Sequence, residues 1–116
     1  MENKERDLFR LEHIAECAVK IEIIVSQLES YENFSAKWIE QDALIRNFEI
    51  IGEATKNISD FTTQKFPEIE WHKLKGMRNL IAHEYFGIRL ETIWDTAVND
   101  IPVLKEQIQK IIQTIQ

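Results

Sequence analysis

The run Gly76-Met77-Arg78-Asn79-Leu80-Ile81-Ala82-His83-Glu84-Tyr85-Phe86-Gly87 concentrates reactive side chains: a guanidinium, an amide, an imidazole and a phenol. An imidazole, whose ordinary pKa is near 6.5, takes and gives protons around neutrality, and a guanidinium offers phosphate or carboxylate a planar donor fork. On a helix turning about 100° per residue, Arg78 and His83 stand about 140° apart, so they do not converge on one face. Asn79 and His83, spaced i and i+4, do meet, and the amide can fix the imidazole's orientation. Arg78 and Tyr85, spaced i and i+7, share a side. A site using both Arg78 and His83 is therefore easier to build at a frayed helix end or, better, where two copies of the segment come together. Plainer readings stand beside this one. His83 can be a hydrogen-bonded partner of Asn79 with no catalytic role, Arg78 can pair with Glu84 or Glu53, and Tyr85 can be a bundle residue with its hydroxyl at the surface.

Other chemistries find less support. Helical bundles hold di-iron or di-manganese centres with Glu-x-x-His pairs, but Arg10, Ile69 and Leu80 precede His13, His72 and His83 by three, so no histidine has its acidic partner. His13 and Cys17, one turn apart, would give a structural zinc two of its four ligands. The same spacing would let His13 activate a Cys17 thiol, yet cysteine is among the most often buried residues and a packing role is the simpler expectation. No glycine-rich phosphate loop, Gly-x-Ser-x-Gly elbow or Walker-type lysine is present, and no cofactor is implied.

The elements that must carry these residues follow from apolar spacing. Leu11, Ile14, Ala18, Ile21, Val25 and Leu28 step by threes and fours and predict a helix from about Asp7 to about Tyr31. Glu32-Asn33-Phe34-Ser35 breaks that pattern. Leu44, Phe48, Ile51, Thr55 and Ile58 predict a second helix over roughly Lys37 to Asn57, with Gly52 inside it marking a close helix approach. Ser59-Asp60 is a stop-and-cap pair, Phe61 to Phe66 a short turn or helix, and Pro67 a boundary. Trp71, Leu74, Met77, Ile81 and Tyr85 predict a third helix over roughly Glu70 to Tyr85, ended by Gly87. Leu90, Ile93, Ala97, Ile101, Leu104, Ile108, Ile111 and Ile115 mark a fourth, kinked at Pro102.

With 116 residues, 3 Gly and 2 Pro, the chain is expected to form one all-α domain over residues 1–116, an up-and-down four-helix bundle with a short extra helix or turn. Trp38, Trp71 and Trp94 are expected in the core or a dimer interface. One cysteine, no apolar signal core and no long apolar run predict a cytoplasmic protein with no membrane role. The net charge of -6 argues against a general nucleic-acid coat, although residues 65–89 carry five basic against three acidic residues.

The run Arg78-x4-His83-x-Tyr85 resembles the Arg-x4-His-x-Tyr motif of HepT-like toxins of the HEPN superfamily. The resemblance extends to Phe48-Glu49-Ile50-Ile51-Gly52-Glu53-Ala54-Thr55-Lys56, to Ile93-Trp94-Asp95 and to Asn99-Asp100-Ile101-Pro102, in order and over most of the chain from the second helix onward. It implies a homodimeric helical bundle and a metal-independent endoribonuclease whose composite site takes Arg78 and His83 from both copies. It further implies an MntA-type nucleotidyltransferase antitoxin that silences the toxin by attaching AMP to Tyr85. On that reading Lys73, Lys75 and Arg89 are candidate RNA phosphate contacts. Two other classes compete: a non-catalytic bundle that binds or presents substrate to a nucleotidyltransferase, and a purely structural dimerisation module. An RNA cleavage assay separates them.

Overall fold

The seam residues of the first helix set the architecture, because a stripe stepping by threes and fours is buried only when two neighbours flank it. The computed structural model describes residues 2–84 and 90–116, without the side chains of residues 2 and 79–84. Helix α1 (Glu2–Leu28) packs against both α3 (Trp38–Lys56) and α7 (Ile101–Ile115), and α3 in turn carries α5 (Trp71–Glu84). Asp7 lies beside Ser59 beyond the far end of α3, and Glu22 pairs with Lys105 of α7. The protein is an all-α bundle of the kind the spacing predicts.

The core is the one expected. Leu11, Ile14, Ala18, Ile21 and Leu28 of α1 are buried with Leu44, Phe48 and Ile51 of α3, Leu74 and Met77 of α5, and Leu104, Ile108 and Ile111 of α7. Trp71 and Trp94 are buried with them, whereas Trp38 is 68% exposed at the start of α3.

Several boundaries differ from expectation. Helix α1 begins earlier than Asp7 and stops at Leu28 rather than Tyr31, because Glu29 turns into the left-handed region (φ 71°). The predicted break at 32–35 is itself a short helix, α2 (Tyr31–Ser35). The Ser30 hydroxyl accepts from the Asn33 N–H at 3.2 Å, and Phe34 is buried against the Trp94 ring at 5.2 Å between centroids. A second short helix, α4 (Asp60–Lys65), starts at Ser59, whose hydroxyl accepts from Thr62 N–H. Buried Asp7 holds that cap: its carboxylate accepts from Ser59 N–H at 3.0 Å and from the hydroxyls of Ser59 and Thr62.

The last helical stretch is divided. Helix α6 (Leu90–Asp95) passes into a π-helical turn, Thr96–Asp100, and then into α7. Pro102 sits in the first turn of α7, and the Ile101 N–H donates to Thr96 carbonyl, five residues back. The widened turn is the local answer to a proline that cannot donate and whose ring crowds the carbonyl four residues before it. Among the described residues no helix is long and apolar enough to cross a membrane.

Candidate functional site

Arg78 owes its position to the absence of a side chain opposite it. A Cβ on Gly52 would lie 2.8 Å from both Arg78 Cβ and Arg78 N, so α3 and α5 cross at this pair with backbone nearly touching backbone. That crossing carries the Arg78 side chain to Glu53, whose carboxylate accepts from a terminal guanidinium nitrogen at 2.7 Å. Of the two partners considered from sequence, Glu53 pairs with Arg78, and the side chain of Glu84 lies outside the described residues. Both side chains are about half exposed, so the pair contributes only about 0–1 kcal/mol and leaves the guanidinium accessible.

Two further motif residues follow Arg78 along the same helix. Asn79 and His83 lie on the last two turns of α5, with side chains outside the described residues; Tyr85 and Arg89 lie outside them altogether. Lys73 hydrogen-bonds Asp100 at 3.0 Å, tying α5 to the π turn, and that bond raises the ammonium's pKa above its ordinary value. As a candidate phosphate contact Lys73 is thus already paired, while Lys75 is exposed. The loop before α5 is anchored by Trp71, whose indole N–H donates to Phe66 carbonyl at 2.9 Å.

A cleft of about 460 Å³ opens beside Arg78 between α1, α3 and α5. Arg10 and His13 of α1, Arg46 and Glu49 of α3, and the Arg78–Glu53 pair line it, over a floor that includes Ile50 and Ala54. Arg46 reaches Glu49 at 3.0 Å. The Arg10 Nε is buried with no hydrogen-bond partner among the described residues. Sequence reasoning assigned no role to Arg10 or Arg46. They are 36 positions apart on different helices, and no local spacing signals their convergence.

Cys17 is a core residue, 1% exposed, while His13 faces solvent and the cleft. Burial pushes the thiol's pKa up, with Glu16 adding to the rise and Lys20 and Arg46 opposing it. A nucleophile requires the reverse shift, so the packing reading of Cys17 holds. No group of three or more metal-ligating side chains occurs among the described residues.

Comparison with known proteins identifies the relatives of this chain. A family model described as ribonuclease HepT-like matches residues 14–111. A protein of Caldanaerobacter subterraneus subsp. tengcongensis named "Putative RNase" is 38% identical over 104 residues, covering 89% of this chain and 91% of the relative. A Thermococcus cleftensis protein named "Probable ribonuclease HepT" is 40% identical over 101 residues, covering 87% and 91%. A longer Methanocaldococcus jannaschii protein, "Gamma-glutamylcyclotransferase and putative RNase", is 38% identical over 105 residues, which span 90% of this chain and 47% of that one. No solved structure matches.

Proposed function

Because the chain belongs to the HepT-like ribonuclease family, we propose that it is the toxin of a HepT/MntA-type pair: a metal-independent endoribonuclease acting as a homodimer of single-domain subunits. The observation that carries this reading is the exposed Arg78 guanidinium, fixed at the Gly52 crossing on the helix that also bears His83. The imidazole accepts the ribose 2′-hydroxyl proton as that oxygen attacks the adjacent phosphorus. The bond to the 5′-oxygen breaks, and an acid protonates the leaving oxygen. Arg78 offsets the charge gathering on the phosphoryl oxygens. Residues five apart on one helix diverge by about 140°, which favours a composite site with Arg78 and His83 from two copies. Asn79, one turn before His83, orients the imidazole.

Tyr85 is the proposed acceptor of AMP from a nucleotidyltransferase antitoxin. Two positions beyond His83, its phenolic oxygen would carry a bulky anion toward Arg78 and exclude substrate by size and charge together.

Purified protein incubated with mixed RNA tests the activity. Cleavage is expected from wild type, unaffected by a chelator, and lost on Arg78→Ala and on His83→Ala. Cleavage that a chelator removes and divalent metal restores would overturn the mechanism. A folded wild type that cuts nothing would leave the binding-module reading in its place. Sedimentation at micromolar concentration is expected to give twice the 13.7 kDa mass. After incubation with the partner and ATP, intact mass should show added AMP on wild type and none on Tyr85→Phe.

A further inference from the structure

We propose that the cleft between α1, α3 and α5 is a subsite for a second phosphodiester group of the RNA strand, held by Arg10 and Arg46 next to Arg78. The inference rests on the ribonuclease reading for its ligand but on different residues for its evidence. Three of the chain's five arginines, one from each of three helices, converge on this cleft in a protein whose net charge is -6. Glu49 and Glu53 offset two of them, leaving one guanidinium in excess.

The excess charge is the one with an unmet donor. Arg10 Nε is buried without an acceptor among the described residues, an uncommon state for a buried donor and one that an anionic ligand drawn to this guanidinium would offset. The two paired arginines remain available. The Arg46–Glu49 pair is 67% and 42% exposed, and solvent-screened pairs of this kind give way readily to a bidentate phosphate. The volume of about 460 Å³ falls in the range of small-ligand sites and admits a nucleotide unit. Among the described residues no Phe, Tyr or Trp lines the cleft, so phosphate-gripping donors outnumber aromatic surfaces for bases, of which His13 is the one present. Arginine donors grip the backbone, and contacts to phosphate carry no base sequence. Arg78 belongs both to the cleft and to the catalytic run, so a strand threaded past it would place one phosphate at the site of cleavage and a neighbouring one between Arg10 and Arg46.

The test is binding of a fluorescently labelled, fully 2′-O-methylated single-stranded RNA 12-mer, which cannot be cut, read by anisotropy between 50 and 200 mM salt. The full chain is compared with Arg10→Gln, Arg46→Gln, the double variant and the control Lys110→Gln on the exposed side of α7. Each phosphate contact contributes about 0.7 to the slope of log affinity against log salt on single strands. Each cleft variant should therefore lose about 0.7 of slope and bind about five- to tenfold more weakly. The double variant should lose about 1.4, and the control should match wild type. Arg46→Gln alters an exposed side chain and cannot be dismissed as unfolded; Arg10→Lys, which keeps the charge, should keep most of the slope. Unchanged slopes in both cleft variants would overturn the subsite, whatever else fills the cleft, an acidic protein segment included. Cleavage of natural RNA is followed in parallel. Cleavage with unchanged slopes refutes the subsite alone, and lost slopes without wild-type cleavage refute the ribonuclease reading alone.

Discussion

Adding one methyl group at Gly52 and one at Gly76 should move stability in opposite directions. Both glycines lie in helices, where alanine is intrinsically better by about 1 kcal/mol. At Gly76 a Cβ meets nothing within 4 Å among the described residues, so Gly76→Ala should realise most of that gain, about 0.5–1 kcal/mol. At Gly52 the new Cβ falls 2.8 Å from Arg78 Cβ and from Arg78 N, and 3.3 Å from Arg78 Cα. Ordinary contact begins at 3.4 Å, so α5 must retreat by about 0.6 Å, and two of the three atoms are backbone that no rotamer change can move. Overpacking usually costs about 1–3 kcal/mol, and here, where backbone is struck, about 2–3 kcal/mol, which outweighs the propensity gain of about 1 kcal/mol and leaves Gly52→Ala about 1–2 kcal/mol less stable than wild type. For a chain of this length 1 kcal/mol is worth about 4 °C, so the two variants should differ in Tm by about 6–12 °C. Urea and thermal unfolding followed by helical circular dichroism, at one fixed protein concentration, gives both numbers. The retreat also displaces Arg78, so cleavage should fall more than tenfold although Gly52 itself touches no substrate. A Gly52→Ala protein as stable as wild type would refute the crossing geometry. One that is destabilised but fully active would refute the claim that the crossing positions Arg78.

Asp7→Ala removes a buried carboxylate that accepts from Ser59 N–H and from the Ser59 and Thr62 hydroxyls, so urea unfolding should show a loss of about 3 kcal/mol; a loss under 1 kcal/mol would mean the network is ornamental. Glu53→Gln breaks a half-exposed pair and should leave stability within about 0.5 kcal/mol, yet tighten RNA binding severalfold by freeing Arg78; weaker binding would contradict the charge argument. The buried Cys17 thiol, its pKa raised by burial, should react with a thiol reagent at neutral pH roughly 100-fold more slowly in the native protein than in denaturant, and equal rates would show that the α1 core opens freely.

Much of the bundle was legible because its helices are long enough for their period to declare itself. The stripes on α1, α3 and α7 each span several turns, and the structure buries nearly every residue they named. The short helix α2 was not legible: five residues hold little more than one turn, too few for periodicity, and its cap, Ser30, fell inside the span read as the first helix. The end of α1 was hidden because the left-handed residue that stops it is Glu29 rather than a glycine. Gly52 could be read as a close approach, since a helical glycine is costly without a reason, but the residue it approaches could not. The cleft lay furthest from view. Arg10, Arg46 and Arg78 become neighbours only once three helices are packed, and each alone looks like a solvated charge on a helix surface.

The π turn at Thr96–Asp100 has a consequence for the lengths this chain can tolerate. A π turn is an α-helix holding one residue more than its turns require, so removing a single residue there would return the stretch to regular helix while keeping Trp94 and Leu104 facing the same core. Elsewhere in α6 or α7 the same deletion would rotate everything beyond it by about 100° and turn one apolar stripe away from the other. The permission is conditional, because in regular helix the ring of Pro102 would again press on the carbonyl four residues earlier. Loss of one residue from this turn is therefore coupled to loss of the proline: the deletion is costly while Pro102 remains and tolerated once it is replaced.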